Sequence, residues 1–130
     1  MSTTTIDFPD FDKSDIRMYG DVNDQNVKDT ISSILSYEDE YRNWKKMYAP
    51  TIEAYGFKST GDRPKFRLYL TTFGGSAYDG LALYDTLKSR DVTCITNGYV
   101  MSAGILVMLG CKRRVATRNT TFMIHSVLLS

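Results

Sequence analysis

The stretch "KFRLYLTTFGGSAYDGLALYDTLKSRDVTCITNG" (residues 65–98) decides the fold class. Its first eight residues alternate apolar and polar side chains, which predicts a β-strand with two differently used faces. A glycine-containing turn follows, and residues 80–90 then place Leu81, Tyr84, Leu87 and Lys88 at helical spacing. Residues 91–98 predict the next strand. Two strands joined by a helix predict a βαβ unit, in which the strands run parallel.

The alternation of strands and helices continues on both sides of this unit. Residues 16–22 predict a short strand, and "SAGILVMLGC", "RRVAT" and "TTFMIH" predict a helix and two short strands. A long helix is expected after the strand at residues 16–22, ending at about residue 48, before Pro50. The stripe that this helix is expected to bury consists of Val27, Ile31, Ile34, Leu35, Tyr41, Trp44 and Tyr48. The sequence therefore predicts an α/β fold with a mostly parallel sheet.

The length of the chain predicts one domain, and its positive and negative charges are nearly balanced. The chain has 130 residues, with 16 Lys and Arg against 15 Asp and Glu. This balance gives no reason to expect a nucleic-acid or membrane partner, and no apolar run predicts a transmembrane helix. Residues 1–15 predict a flexible arm that is not a signal peptide. Cys94 and Cys111 lack metal-ligand spacing, which predicts small buried residues in a reducing, cytoplasmic setting.

Three segments of the chain are candidates for chemistry. Gly74 and Gly75 let the backbone approach a ligand, although a tight turn alone also explains them. Ser102 opens a helix after a strand, so it is either an N-cap or a nucleophile beside the free N–H groups of the helix start. His125 is the only histidine. It cannot form a metal site without further ligands, but one histidine suffices as the general base for one serine.

Together these motifs resemble those of the proteolytic subunit of the Clp protease, a serine peptidase family with the ClpP/crotonase fold. "FGGSAYDGLALYDTL" is similar to the family's "PGGSVxAGxAIYDTM", "GYVMSAG" to "GxAxSMG", and "RNTTFMIH" to "PNSxxMIH". The resemblance runs from residue 16 to residue 125, and it implies repeated β-β-α units with a mostly parallel sheet. It makes residues 16–130 a partial peptidase domain with an atypical insertion near 37–63.

The resemblance also implies roles for individual residues. It makes Ser102 the nucleophile and His125 the general base, and it places the oxyanion donors at the backbone N–H groups of Gly75 and Ala103. It implies no metal and no cofactor. The substrate-binding positions that it implies are Gly74, Gly75 and Ser126.

The resemblance further implies unfolded polypeptides as substrates, with an AAA+ unfoldase and further copies of the chain in a ring as partners. Tyr69 is expected to face outward from its strand and to form the docking point of the unfoldase. Phe73 departs from the family's pattern, because it stands where the family has a proline. The family's third catalytic residue, an aspartate, lies beyond Ser130, so the chain looks like the N-terminal two-thirds of a subunit.

Other functions stay open at this point. A non-catalytic ring or interaction subunit fits the missing aspartate, whereas the presence of Ser102 and His125 counts against it. A crotonase-type acyl-CoA enzyme also uses backbone oxyanion donors, but a Ser/His pair in these motifs is not its signature. A Ser/Lys signal-peptide peptidase is disfavoured by the "MIH" segment.

Overall fold

The computed structural model describes residues 11–56 and 63–125. A 3₁₀ turn, Phe11–Ser14, leads into the first strand. The strands are β1 (Asp15–Tyr19), β2 (Lys65–Thr72), β3 (Asp91–Met101), β4 (Arg113–Ala116) and β5 (Thr121–Met123). The helices are α1 (Asp24–Ala54), α2 (Ala77–Lys88) and α3 (Ala103–Gly110).

Two segments that the sequence marked as irregular are only partly described. Of the arm predicted for residues 1–15, residues 1–10 lie outside the described part, and Asp15 already begins β1. Of the insertion predicted near 37–63, residues 37–54 belong to α1, whereas residues 57–62 lie outside the described part.

One parallel sheet organises the described residues. Its strand order is β1-β2-β3-β4, and β5 pairs with the end of β3. β3 is therefore central: Thr93–Thr96 pair with β4, and Tyr99–Met101 pair with β5. Because all strands run in the same direction, their carboxyl ends lie at one edge of the sheet and their amino ends at the other. The predicted α/β fold with a mostly parallel sheet is confirmed.

The core lies on one face of this sheet. In β2, Phe66, Leu68 and Leu70 are almost completely buried, whereas Arg67 is exposed and Tyr69 half-buried on the opposite face. This agrees with the alternation in the sequence. The core cluster joins the strand residues to side chains of all three helices, among them Ile34, Leu83, Leu87 and Val107.

The long helix α1 differs from the prediction in its end and in its buried face. It continues past Pro50 to Ala54, although proline removes one intrahelical hydrogen bond. Before Ala49, its buried residues advance by alternating steps of three and four positions, namely Val27, Thr30, Ile34, Tyr37, Tyr41 and Trp44. Leu35 is 45% exposed because it lies one step around the helix from Ile34. Including it in the buried stripe was wrong.

The buried face of α2 is formed largely by small residues and not by all the residues that follow helical spacing in the sequence. Leu81 is 42% exposed, whereas Ala77, Gly80, Leu83 and Leu87 are buried. A Cβ at Gly80 would lie 3.1 Å from the carbonyl oxygen of Ala103, which is tighter than an ordinary contact, so α2 and α3 pack closely at this glycine. A search for large apolar residues misses such a face.

The two cysteines are buried together in the core. Cys94 is 0% exposed and Cys111 3%. The hydrogen bond between their side chains raises the pKa of the Cys111 thiol above its ordinary value, and burial raises it further. Both residues are free thiols, as the sequence predicts.

We expect both thiols to resist modification in the native protein. At pH 8, a thiol-reactive disulfide reagent should label neither cysteine, whereas denaturation should expose two thiols with a pKa of about 8.5. The raised pKa also makes stability fall as the pH rises above about 8.5, since the unfolded thiol loses its proton there and the native Cys111 keeps it. Rapid labelling of the native protein would contradict this packing.

Candidate functional site

Ser102 lies between β3 and α3, at the carboxyl edge of the sheet, in an unusual backbone conformation. Its φ is 55° and its ψ is −122°. Of the residues that the structure describes, it is the only non-glycine residue with a positive φ. Such a conformation costs on the order of 1–3 kcal/mol and persists only where the surroundings impose it. The Ser102 side chain makes no capping hydrogen bond to α3, so an ordinary N-cap does not explain this serine.

The strand β5 holds the backbone of Ser102 in place. The ladder between β3 and β5 ends at the pair Met101 and Met123. Beyond it, the Ser102 N–H donates a hydrogen bond to the carbonyl oxygen of Met123 at 2.8 Å. His125 follows Met123 by two residues and is exposed. The structure therefore brings the segment that carries His125 to the same edge of the sheet as Ser102.

Gly74 packs directly against Ser102 from the other side. A Cβ at Gly74 would lie 2.7 Å from the Ser102 Cβ and 2.8 Å from the carbonyl oxygen of Met101. Its φ of 104° is also a conformation that favours glycine. The buried hydroxyl of Thr72 accepts the Gly74 N–H at 3.0 Å and fixes the turn. Glycine is therefore required at position 74 both by conformation and by space.

Gly75 is held by a short bridge to Val22. The Val22 N–H donates to the carbonyl oxygen of Gly74 at 2.9 Å, and the Ser76 N–H donates to the carbonyl oxygen of Val22 at 2.8 Å. In a parallel bridge of this kind, the N–H of the middle residue points away from the partner strand. The Gly75 N–H accordingly has no acceptor in the described part of the chain.

Ala103 supplies a second unpaired backbone donor. It is the first residue of α3, and the first N–H groups of a helix have no acceptor within the helix. The dipole of α3 adds partial positive charge at this end. Gly75 and Ala103 thus place backbone donors on the two segments that meet at Ser102, an arrangement suited to a developing negative charge.

A β-bulge in β3 sets the position of this junction. The pairing of β2 with β3 shifts from Leu70–Thr96 to Thr72–Val100, so β3 contains two extra residues. Gly98 takes a φ of 83° there, and the Thr71 hydroxyl donates to the carbonyl oxygen of Asn97 at 2.6 Å. The sequence prediction ended the strand at residue 98, which was wrong, because the glycine accommodates a bulge instead of terminating the strand.

The other residues singled out from the sequence lie elsewhere. Tyr69 is half-buried on the outer face of the sheet, with the Arg17 guanidinium 4.7 Å from its ring centroid. Ser126 lies outside the described residues. Asp91 forms an ion pair with Arg113 at 2.7 Å, at the amino edge and therefore away from Ser102.

The described residues contain no group of three or more His, Cys, Asp and Glu side chains that could hold a metal ion.

Sequence reasoning missed an aromatic cluster beside the glycine pair. The ring of Phe73 stacks on that of Tyr99, with centroids 3.9 Å apart and planes inclined by 16°. The Tyr99 hydroxyl lies 3.4 Å from that of Tyr19, and this hydrogen bond raises the pKa of Tyr99. Tyr19 and Tyr99 both occupy outward positions of their strands. The strand alternation could therefore have placed them on a common face.

Comparison with curated proteins gives two informative relatives. The ATP-dependent Clp protease proteolytic subunit of Deinococcus radiodurans is 38% identical over 71 residues, which cover 52% of this chain and 35% of that protein. The protein of the same name from Bacteroides fragilis is 40% identical over 62 residues, covering 45% and 30%. The chain thus spans about a third of the length of the curated relatives that it matches.

Solved structures share the fold over most of the chain. ClpP1 from Listeria monocytogenes matches with a TM-score of 0.63 at 21% identity, covering 88% of this chain and 58% of that one. The ClpP protease catalytic domain from Plasmodium falciparum gives 0.63 at 22% identity, covering 88% and 56%.

The family model described as Clp protease matches residues 53–129, which is more than half of the chain. This match includes the glycine pair, the segment around Ser102 and the segment that ends at His125. The family and the ClpP/crotonase-like fold expected from the three motifs are confirmed. The chain belongs to the Clp protease family.

Proposed function

We propose that the chain is a proteolytic subunit that cleaves peptide bonds of unfolded polypeptides by serine-type covalent catalysis. The observation that carries the proposal is the backbone of Ser102. Ser102 has a positive φ, and its side chain forms no capping hydrogen bond to α3. Its backbone is fixed between Gly74 and the carbonyl oxygen of Met123. A strained serine among unpaired backbone donors is an arrangement typical of a nucleophile.

In the proposed mechanism, the His125 imidazole takes the proton of the Ser102 hydroxyl as its oxygen attacks a peptide carbonyl carbon. A C–O bond forms, and the electron pair of the carbonyl π bond moves to its oxygen. The N–H groups of Gly75 and Ala103 stabilise this oxyanion, at about 3–4 kcal/mol per donor in comparable sites. Collapse of the intermediate breaks the C–N bond, and the imidazolium gives its proton to the leaving amine.

Deacylation completes the cycle. His125 takes a proton from water, whose oxygen attacks the acyl carbon, and the proton returns to Ser102 as the ester bond breaks. All the groups that this cycle requires are protein groups, so the proposal includes no metal and no cofactor. The proposed contacts for the extended backbone of the substrate are Gly74, Gly75 and Ser126.

The proposal extends to assembly and partners. The curated relatives are proteolytic subunits of ATP-dependent proteases by name, which supports a homo-oligomeric ring that works with an AAA+ unfoldase in the cytoplasm. We place the docking contact of the unfoldase at Tyr69, whose ring lies on the outer sheet face beside Arg17. Nucleic acid and membrane are not among the proposed partners. Within the described residues, no helix is both long and apolar enough to span a bilayer.

A non-catalytic ring subunit is the second candidate. The observation that favours it is the position of Asp91, which pairs with Arg113 at the amino edge of the sheet and therefore does not orient His125. Membership of a protease family favours the peptidase over an acyl-CoA enzyme of the crotonase type. Covalent labelling at Ser102 separates the two remaining candidates.

Ser102→Ala is expected to abolish both labelling by a fluorophosphonate and hydrolysis of a fluorogenic peptide, in protein that carries the whole subunit. The melting temperature should change little, because the hydroxyl caps no helix. Ser89→Ala, a change at an exposed serine on the opposite edge, serves as the matched control. Hydrolysis that survives in Ser102→Ala would remove Ser102 from the mechanism.

In protein that carries the whole subunit, Gly74→Ala is expected to reduce peptide hydrolysis about 100-fold or more, because the added Cβ displaces Ser102 and a shift of about 1 Å costs that much in catalysis. Gly56→Ala is the matched control: its φ of 84° imposes a similar backbone strain, but nothing lies within 4 Å of the added Cβ. Both variants should lose stability, whereas only Gly74→Ala should lose activity. Equal activity in the two variants would show that the Gly74–Ser102 contact does not matter.

The 130-residue chain by itself is expected to hydrolyse peptides about 10⁴-fold more slowly than a complete triad, since loss of the orienting aspartate has that effect. Turnover of a small peptide, measured together with native mass, tests this. Rapid turnover by a defined ring of 130-residue chains would mean that another group orients His125.

A further inference from the structure

A groove lined with basic side chains lies at the amino edge of the sheet, opposite the edge that carries Ser102. It has a volume of about 640 Å³, which is within the usual range of ligand sites. We call it the basic groove. Its charged lining residues are Arg63, Lys88, Arg90, Lys112, Arg114 and the single carboxylate Asp91.

The charges in the basic groove do not cancel. Glu38 pairs with Arg90 at 3.0 Å, and Arg113, from outside the lining, pairs with Asp91 at 2.7 Å. No carboxylate within residues 11–56 and 63–125 lies at ion-pair distance from the remaining cations, which are Arg63, Lys88, Lys112 and Arg114. Four uncompensated positive charges around one groove contrast with a net charge of +1 for the whole chain.

Two of these cations are held in place by the backbone. The Arg63 guanidinium donates to the carbonyl oxygen of Ser89 at 2.9 Å, and Arg114 donates to that of Cys111 at 2.9 Å. Carbonyl oxygens fix the position of a guanidinium without neutralising its full charge. The conformational entropy of these arginine side chains is therefore already reduced in the unbound protein, so anion binding loses less of it.

Helix capping explains only part of the cluster. Arg90 and Arg114 donate to carbonyl groups near the ends of α2 and α3, where cations are favourable in any protein. Lys88 instead lies 5.3 Å from the ring centroid of Tyr84, and the hydrogen bond of Lys112 to Val92 comes from its backbone N–H. Lys88 belongs to the last turn of α2, where a cation is favourable, but both lysine side chains are exposed and neither donates a hydrogen bond to a carbonyl group of the described residues.

The shape of the surface favours an extended occupant. A second groove of about 420 Å³ shares Arg63, Ser89, Arg90 and Asp91 with the basic groove and continues towards α1, where it adds Glu38, Tyr41, Arg42 and Lys45. Of these, Glu38 pairs with Arg90, and Arg42 pairs with Asp39 at 2.9 Å. The two grooves together form a track longer than a single small anion needs. The lining of the basic groove includes no aromatic residue on which a nucleic-acid base would stack, and Tyr41 of the second groove is only 6% exposed. Arginine, in contrast, matches carboxylates through two parallel hydrogen bonds.

We propose that the basic groove binds an acidic polypeptide segment, an extended stretch of Asp and Glu side chains carried by a partner protein. The site lies at the opposite end of the strands from Ser102, so an occupant leaves the proposed catalytic edge uncovered. The inference goes beyond the proposed peptidase function and does not depend on it.

Fluorescence anisotropy of a labelled decaglutamate peptide tests the proposal. The 130-residue chain should bind the peptide, and binding should weaken steeply as salt increases, because exposed charges are screened. The double variant Lys88→Gln/Lys112→Gln should weaken binding about tenfold, as expected for two exposed ion pairs. Lys28→Gln/Arg118→Gln is the matched control, because it removes the same charge from exposed positions outside both grooves.

The outcomes separate the proposal from its competitors. Binding that the groove variant weakens and the control variant does not supports the proposal. Equal effects of the two variants would reveal attraction by general charge and would overturn it. Absence of binding at low salt would overturn it as well. Tighter binding of a ten-nucleotide single-stranded DNA than of decaglutamate would assign the groove to nucleic acid and refute a protein partner.

Discussion

The contact between Gly74 and Ser102 is the constraint on which the candidate site depends. The turn after β2 and the start of α3 meet there with no room for a side chain at position 74. Ser102 has a backbone conformation that a serine adopts only where the surrounding structure imposes it. Ser102 is held on both sides: Gly74 packs against it on one side, and on the other its N–H donates a hydrogen bond to the carbonyl oxygen of Met123. Several independent contacts therefore fix the position of the residue that carries the Ser102 hydroxyl group.

The central strand β3 makes this arrangement possible. It pairs with β4 along its first half and with β5 at its end, and between the two it absorbs two extra residues in a bulge at Gly98. The bulge changes the register with β2 immediately before Ser102. In unbroken register Thr72 would pair with Gly98 instead of Val100, so the chain would be shifted by two residues where it contacts Gly74. The bulge therefore belongs to the site as much as to the sheet.

Sequence reasoning was most accurate where a short-range pattern decides the structure. β2 occupies the residues that the alternation of Phe66, Leu68 and Leu70 predicts, since both faces of a strand are determined by adjacent residues. It failed where tertiary packing decides. Gly80 faces α3 where the helices pack closely, and the bulge at Gly98 is accompanied by a hydrogen bond from the Thr71 hydroxyl to the carbonyl oxygen of Asn97. The positive φ of Ser102 had no signal in the sequence beyond the small residues around it, because partners distant in the chain impose it.

The parallel sheet also explains why a chain of nearly neutral composition has two electrostatically different ends. At the carboxyl edge, α3 begins, and its unpaired N–H groups point towards the space beside Ser102. At the amino edge, α2 and α3 end, and their unpaired carbonyl groups attract basic side chains such as Arg90 and Arg114. Parallel βαβ topology thus selects backbone donors at one edge and cations at the other. Lys88 and Lys112 add exposed charge at the same edge without donating a hydrogen bond to a helix carbonyl group, and this leaves their ammonium groups accessible to the anionic partner proposed above.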